Sequence, residues 1–212
     1  MQALPKAIIF DWDNTLVDTQ HSLNHALKNT MLDMGYNIQE EKIVNERPLF
    51  ASRKLYFQTI FQDRWHEAST IYNEHIRNAP IGQIALYPRT KDVLQFLANN
   101  NIYILIVSNK FGVNLRLEVE QMGVSQYCSA VIGSGDTAED KPSILPAKAA
   151  LDYVSINPSR DIWFIGDSIT DMECARRLGV VKVLYSEYKI HNVIPDFYVK
   201  NYDHIYSILS SR

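Results

Sequence analysis

The chain has little of what marks secreted, membrane-spanning or nucleic-acid-binding proteins. Only two of its 212 residues are cysteine, Cys128 and Cys174, and they form neither a disulfide framework nor a metal-binding pair. No apolar run is long enough to span a bilayer, and no signal-peptide stretch precedes the first predicted strand. The net charge of −3 gives no electrostatic footprint for nucleic acid. We therefore expect a cytoplasmic protein that binds neither membranes nor nucleic acid.

Internal repeats and low-complexity segments are also absent. Hydrophobic residues make up 46% of the chain, which is close to the globular norm. A chain of 212 residues with this composition buries a full core and has room for one domain plus an inserted module. The composition leaves the oligomeric state open.

Acidic pairs follow two of the predicted strands. Asp11 and Asp13 come directly after the first apolar run and lie two residues apart, so they face the same side of an extended chain. Because like charges held together need a cation or a proton, this pair predicts a metal site or an acid and a base with separated pKa values. Asp167 and Asp171 follow a later strand, and we expect them one helical turn apart on one face of a helix.

Two more predicted strands end in polar groups. The strand from Ile102 to Val107 stops at Ser108-Asn109, and the next one ends near Gly133. Lys141-Pro142 lies downstream, and we expect this proline to open the following helix. Ligands of α/β proteins bind at the carboxyl edge of the sheet, so these groups are predicted to share one site.

The spacing of these strands predicts the architecture. After residue 88, strands and helices alternate, which indicates an α/β fold with a doubly wound parallel sheet. The first two strands are too far apart for one crossover helix, and helical periodicity fills the interval. We therefore predict an α/β core at 1–17 and 86–212 with an inserted helical domain at 18–85.

The residues at the strand ends suit phosphoryl transfer. Two or three carboxylates with water make the oxygen environment that Mg²⁺ prefers, and the metal neutralises an incoming phosphate. A lysine and a serine hydroxyl can bind phosphoryl oxygens, and a free carboxylate can attack phosphorus to form an aspartyl phosphate.

In order and setting, these segments resemble the four motifs of the haloacid dehalogenase superfamily of aspartate-nucleophile phosphatases, over almost the whole chain. The matching segments are, in motif order, Asp11 to Leu16, Ser108-Asn109, Lys141-Pro142 and Gly166 to Asp171. Trp12 is bulkier than the usual aliphatic residue or phenylalanine, and Asn14 stands where many members carry glycine. The helical insert matches the cap of the subfamily that contains phosphoglycolate phosphatases and β-phosphoglucomutases.

The resemblance implies a Mg²⁺-dependent phosphatase acting on a small phosphorylated metabolite. Asp11 is expected to attack phosphorus, and Asp13 to protonate the leaving alcohol and then activate water. An acid at position 13 weighs against a dehalogenase, which has no leaving alkoxide to protonate. Ser108 and Lys141 are expected to hold the phosphoryl oxygens, with Lys141 bridging toward Asp11.

The resemblance also implies metal and substrate contacts. Asp167 is expected to bind the metal beside Asp11 and the carbonyl of Asp13, and Asp171 to orient this cluster from behind. The residues predicted to contact substrate are Asn14 and Asn109 in the core and the basic cluster Arg47, Arg53 and Lys54 in the cap.

Alternative functions remain open at this stage. A β-phosphoglucomutase would keep the same core residues and return the phosphoryl group to the sugar. A nucleotide-directed phosphatase is possible too, although the sequence has no base-recognition signature. A non-catalytic binding protein is disfavoured because it would not need these reactive side chains intact.

Three local patterns have competing interpretations. Residues 133–138 fit a G-x-G-x-x-A dinucleotide motif, but no complete βαβ unit starts there. His21 and His25 have the spacing of zinc ligands but no evident third ligand, which favours an ordinary helix pair. Lys110 rivals Lys141 as the phosphate-binding lysine, but Lys141 is favoured because it lies just before the predicted helix start and matches a motif of the resembled family. Lys110 is otherwise expected to be solvated at a helix start.

Overall fold

The computed structural model describes residues 3–36, 53–78, 84–186 and 194–211. The chain divides into two compact units, one formed by Met1–Asp18 with Leu86–Arg212 and the other by Thr19–Ala85. Among the residues described, no helix is both long and apolar enough to cross a bilayer.

The strands form two sheets. In chain order they are β1 (Ala7–Phe10), β2 (Val17–Asp18), β3 (Ala85–Leu86), β4 (Tyr103–Phe111), β5 (Ala130–Ser134), β6 (Ile162–Gly166), β7 (Val181–Tyr185) and β8 (Phe197–Val199). The main sheet has six strands in the order β5-β4-β1-β6-β7-β8, and every neighbouring pair is parallel. The two short strands β2 and β3 pair with each other.

The helices of the described segments alternate with these strands in the larger unit. That unit contains α4 (Thr90–Asn99), α5 (Gly112–Gln121), α6 (Leu145–Tyr153), α7 (Ile169–Leu178) and α8 (Tyr202–Ser210), and the smaller unit contains α1 (Gln20–Asp33), α2 (Arg53–Phe61) and α3 (Trp65–Arg77). Short 3₁₀ turns occur at Gln62–Arg64 and Ser125–Tyr127. The predicted α/β class with a doubly wound parallel sheet is confirmed.

The central strands are apolar along their whole length because they are buried on both faces of the sheet. All four residues of β1 and all five of β6 are buried. Phe10 of β1 lies in register with Ile106 of β4 and with Ile165 of β6. The chain therefore leaves these three strands at the same level, and the residues that follow them come together at one edge.

Two predicted boundaries were wrong. The strand expected to stop at Ser108 continues to Phe111, with a shift in its pairing to β5 after Val107. The helix expected to open at Pro142 begins at Leu145, with Pro146 in its first turn, where a missing N–H does no harm. The side chain of Asn109 bonds the backbone N–H and carbonyl of Lys141, both at 2.9 Å, and so holds that segment as a loop.

The smaller unit has its own core. The apolar residues whose spacing predicted the first helix are all buried, namely Leu23, Ala26, Leu27, Met31 and Met34. Aromatic rings from α2 and α3 complete this core: Phe57 makes T-shaped contacts with Phe61 and Tyr72, at centroid distances of 5.3 and 5.4 Å. This unit thus buries an apolar cluster separate from the core of the sheet.

Gly133 allows the backbone of β5 to approach its neighbours closely. A Cβ there would lie 2.4 Å from the Cα of Gly112 and 2.7 Å from the carbonyl oxygen of Lys110. The N–H of Gly133 donates to Asp136, whose carboxylate also accepts from Arg116. No helix starts in the described segment after this strand until Leu145. Close packing and a turn therefore explain the G-x-G-x-x-A spacing.

Replacing Gly133 should destabilise the fold. We expect Gly133→Ala to lower the free energy of unfolding by about 1–3 kcal/mol, because a side chain has no room beside Gly112. Denaturant unfolding monitored by circular dichroism measures this. Ser129→Ala, at an exposed position just before β5, is the control and should change stability by less than about 0.5 kcal/mol. Equal stability of the two variants would contradict the packing argument.

Candidate active site

The end of β1 places Asp11 in the centre of the sheet edge. Its backbone N–H donates to the carbonyl of Ile165 in β6 at 2.9 Å, and its side chain is largely buried. On either side, β4 carries Ser108 past the same level and β6 leads into Asp167. The predicted convergence of these polar groups therefore follows from the register of three adjacent strands.

Lys141 lies at the middle of this edge. Its buried ammonium donates to Asp11 Oδ1 at 2.8 Å, to Asp171 Oδ1 at 2.6 Å and to the carbonyl of Val107 at 2.8 Å. An ammonium group has three N–H donors, so all of them are used within the protein. The bridge to Asp11 matches the sequence-based expectation, and in this arrangement Lys141 fixes Asp11 and Asp171.

Asp171 is held by the start of α7. Ser168 is the N-cap residue: its hydroxyl accepts from the N–H of Asp171, and the carboxylate of Asp171 accepts from the N–H of Ser168. A Cβ on Gly166 would lie 2.4 Å from Asp171 Cγ, so glycine makes room for this carboxylate. Because the helix begins at Ile169, Asp167 precedes it, and our prediction that both aspartates share one helix face was wrong.

The described residues contain one group of three acidic side chains that could hold a metal ion. It consists of Asp11, Asp167 and Asp171, whose oxygens lie within 4.8 Å of one another. We predicted Asp171 behind the metal-binding residues; here one of its carboxylate oxygens lies within 4.8 Å of oxygens of both Asp11 and Asp167. The pair His21 and His25 is not part of such a group.

Burial and mutual repulsion raise the pKa values of two aspartates in this acidic group. Burial, followed by the charge of Asp171, raises the pKa of Asp11 to about 7, although Lys141 opposes the change. Burial, followed by the charges of Asp11 and Asp171, raises the pKa of Asp167 well above its usual value. Because three carboxylates lie beside a single lysine, an additional cation would compensate their remaining negative charge. A donor set made only of oxygen atoms suits Mg²⁺.

Asp13 faces a second buried lysine. The ammonium of Lys110 donates to Asp13 Oδ1 and to Glu118 Oε2, both at 2.7 Å, and the indole N–H of Trp12 donates to the same Glu118 oxygen at 2.7 Å. Only 3% of Lys110 is exposed. The expectation of a solvated Lys110 at a helix start was wrong, because this residue lies inside β4.

Glu118 was missed in the sequence. Its signal was its spacing on α5, where residues three and four positions apart share a face. Glu118 lies three residues after the buried Leu115 and next to the buried Val119, so the helical pattern already placed a carboxylate on the inward face. A charged residue in such a position needs a partner, and Lys110 supplies it.

The remaining predicted residues of the core have visible structural tasks. Asn14 has a φ of 57°, the left-handed region that asparagine tolerates well, which explains its place where many relatives carry glycine. The Oγ of Ser108 is buried and accepts from the N–H of Lys110 at 3.2 Å. Asn109 holds the Lys141 loop, as described above. Their predicted contacts with substrate stay predictions.

The basic cluster of the smaller unit is only partly described. Arg47 lies outside the described residues, and Arg53 begins α2, with its side chain outside them. Lys54 is exposed, and its ammonium lies 5.5 Å from the centroid of the Trp65 ring. The hypothesis that one of these residues binds a second anion on the substrate stays a prediction.

Comparisons with known proteins show several similar hydrolases. A phosphoglycolate phosphatase from Aquifex aeolicus is 25% identical over 195 residues, covering 91% of both chains. Pyrophosphatase PpaX from Oceanobacillus iheyensis is 27% identical over 177 residues, covering 82% of this chain and 80% of that protein. The crystal structure of a haloacid dehalogenase superfamily hydrolase from Ehrlichia chaffeensis is 34% identical, with a TM-score of 0.70 over 100% of this chain and 98% of that one.

The family profile of the haloacid dehalogenase-like hydrolases matches residues 8–185, which is most of the chain. The matched stretch begins in β1 and ends with β7, so it contains all four motifs on which the resemblance was based. The chain belongs to the haloacid dehalogenase-like hydrolase family.

Proposed function

We propose that this hydrolase is a Mg²⁺-dependent phosphatase that releases phosphate from a small phosphorylated metabolite through an aspartyl phosphate. The observation that carries the proposal is the different setting of two carboxylates at the end of β1: Asp11 is bonded to Lys141 within an acidic cluster, and Asp13 is bonded to Lys110. Relatives named phosphoglycolate phosphatase support phosphoglycolate as a substrate type. A sugar phosphate is the other substrate type that we propose.

The first step uses Asp11 as the nucleophile. Lys141 bonds Oδ1, and we assign the attack to Oδ2. A bond forms between this oxygen and phosphorus while the bond from phosphorus to the substrate oxygen breaks. Asp13 donates a proton to the departing oxygen, so the substrate leaves as a neutral alcohol.

The second step restores the enzyme. Asp13, now a carboxylate, takes a proton from water, and the resulting hydroxide attacks phosphorus. The bond between phosphorus and Asp11 then breaks, which releases inorganic phosphate and returns Asp11 to its ionised form. One residue thus serves as acid and then as base. It can do both because the alcohol oxygen leaves and the water oxygen attacks on the same side of the phosphorus.

The acidic cluster would hold the metal. We assign Asp11, Asp167 and the carbonyl of Asp13 as its ligands, and Asp171 with Lys141 as the groups that keep them in place. When bound, Mg²⁺ supplies charge neutralisation for the phosphoryl group. Ser108 is assigned to a phosphoryl oxygen because its hydroxyl lies at the same sheet edge.

A panel of phosphorylated metabolites tests the overall proposal. Phosphate release is measured with Mg²⁺ for carboxylated, sugar and nucleotide monophosphates, and we expect the highest kcat/KM with a small carboxylated or sugar phosphate. Conversion of a hexose 1-phosphate to the 6-phosphate without stoichiometric phosphate would instead identify a mutase. Absence of release from every member would contradict the proposal.

Asp11→Asn should reduce turnover to near background, because a neutral amide cannot form the acyl phosphate. The measurement is phosphate release by the folded variant, with circular dichroism as the check on folding. Asp152→Asn, which removes an exposed carboxylate on α6, is the control and should keep wild-type turnover. Turnover of Asp11→Asn within about tenfold of wild type would remove Asp11 from this role.

Asp13→Ala should affect substrates unequally. We expect a loss of roughly 100-fold or more in kcat for alkyl phosphates, because their leaving oxygen needs a proton, and a much smaller loss in the rate of the first step with p-nitrophenyl phosphate. Rapid-quench measurement of phenolate release separates this first step from the hydrolysis that follows. Equal losses of the first step with both substrate types would contradict the acid assignment.

Metal removal should abolish activity reversibly. Turnover should vanish with EDTA and return with Mg²⁺ or Mn²⁺, whereas Ca²⁺ should inhibit because its looser coordination misplaces Asp11. Asp167→Ala should raise the Mg²⁺ concentration needed for half-maximal activity more than Asp171→Ala does. The latter should also lower the melting temperature, because it removes the carboxylate that accepts from the N–H of Ser168 in the capping box and a partner of Lys141. Full activity in chelator would refute metal dependence.

A further inference from the structure

We propose that Trp12, Glu118 and Lys110 form a positioning network that holds the carboxyl group of Asp13 for proton transfer. The inference rests on the proposed function, in which Asp13 is the acid and base. None of the three residues belongs to the reactive groups assigned above. They would act through Asp13, so they are positioning residues.

The contacts form a continuous chain of hydrogen bonds from Trp12 to Asp13. Trp12 Nε1 donates to Glu118 Oε2, the same oxygen accepts from Lys110 Nζ, and Lys110 Nζ donates to Asp13 Oδ1, each at 2.7 Å. The network joins the segment after β1 to β4 and α5, across 106 residues between Trp12 and Glu118. A carboxylate held through two rigid elements has fewer orientations to search before it can deliver a proton.

The number of carboxyl groups around Lys110 indicates a role beyond the packing of the core. Glu118 alone neutralises Lys110, so a structural ion pair in this buried place would be complete without a second carboxylate. The ammonium nevertheless donates to Asp13 as well, at 2.7 Å, so one buried cation is shared between two carboxyl groups. This second contact is expected if the position of Asp13 matters to the reaction.

Trp12 gives independent support. The Trp12 ring is fully buried beside the site. A purely apolar side chain would fill this space but has no N–H to donate. The indole N–H binds the same Glu118 oxygen as Lys110 does, so Trp12 helps to fix the partner of that lysine.

Selective loss on substrates with poor leaving groups is the signature to measure. We expect Lys110→Met and Glu118→Gln to lower kcat for the best alkyl phosphate by roughly 10- to 100-fold, as for other supporting residues of active sites. Formation of the phosphoenzyme from p-nitrophenyl phosphate should stay within about threefold, because that leaving group needs little protonation. Trp12→Phe, which removes the N–H donor together with part of the ring, should lower the ratio of the alkyl rate to the aryl rate by a smaller factor.

The chain offers matched controls. Lys148→Met and Glu120→Gln make the same changes at exposed positions, the second of them on α5 itself. Both should keep the wild-type ratio of alkyl to aryl rates. The double variant Lys110→Met with Glu118→Gln guards against a folding defect, because it removes the cation together with one of its carboxylates, and its melting temperature is measured beside its rates.

A double-mutant cycle decides between positioning and general damage. In an Asp13→Ala background, Lys110→Met should change the alkyl-to-aryl ratio no further, because the group that Lys110 positions is gone. A further selective loss in that background, or equal losses on both substrates in the single variants, would overturn the inference while leaving the phosphatase intact. Wild-type protein that releases phosphate from neither substrate would instead overturn the proposed function.

Discussion

The buried ammonium of Lys141 is the interaction on which the arrangement of the site depends. Three carboxylates converge at one sheet edge, and Lys141 bonds two of them while its third proton goes to the backbone of β4. Burial lowers the pKa of this lysine, but the charges of Asp11 and Asp171 outweigh burial and raise the pKa above its usual value, so the ammonium keeps its proton. Because the bonds also tie the Lys141 loop to β4 and α7, one cation fixes both the charge and the geometry of the cluster.

A second lysine divides the acidic residues into two sets. Asp11 and Asp13 are two positions apart in the chain, yet the first is paired with Lys141 and the second with Lys110. Neighbouring carboxylates with separate partners can take different protonation states, which a nucleophile and an acid require. The sequence favoured Lys141 over Lys110 as the lysine of the site, and it did not predict that both are buried and that each serves a different aspartate.

The sequence predicted the sheet and the convergence of motifs because both follow from local patterns. Continuous apolar runs indicate strands buried on both faces, and polar residues directly after them must lie at the carboxyl edge. The contact of Trp12 with Glu118 has no such local sign, because it depends on how α5 packs beneath the edge. Similarly, the sequence does not show that the helix begins at Leu145 rather than directly after Pro142, because the bonds that hold the Lys141 loop come from Asn109, which is distant in the chain.

Residues without reactive groups matter as much to the motifs as the reactive ones. Gly166 carries no chemistry, but a side chain there would occupy the position of the Asp171 carboxylate. Asn14 turns the chain through a left-handed conformation directly after Asp13, and its N–H donates to Val17 at 2.7 Å. Backbone shape at these two positions therefore decides where Asp171 and Asp13 can lie. These motif residues take no part in the reaction, but they provide the space and the backbone turn that the reactive residues require.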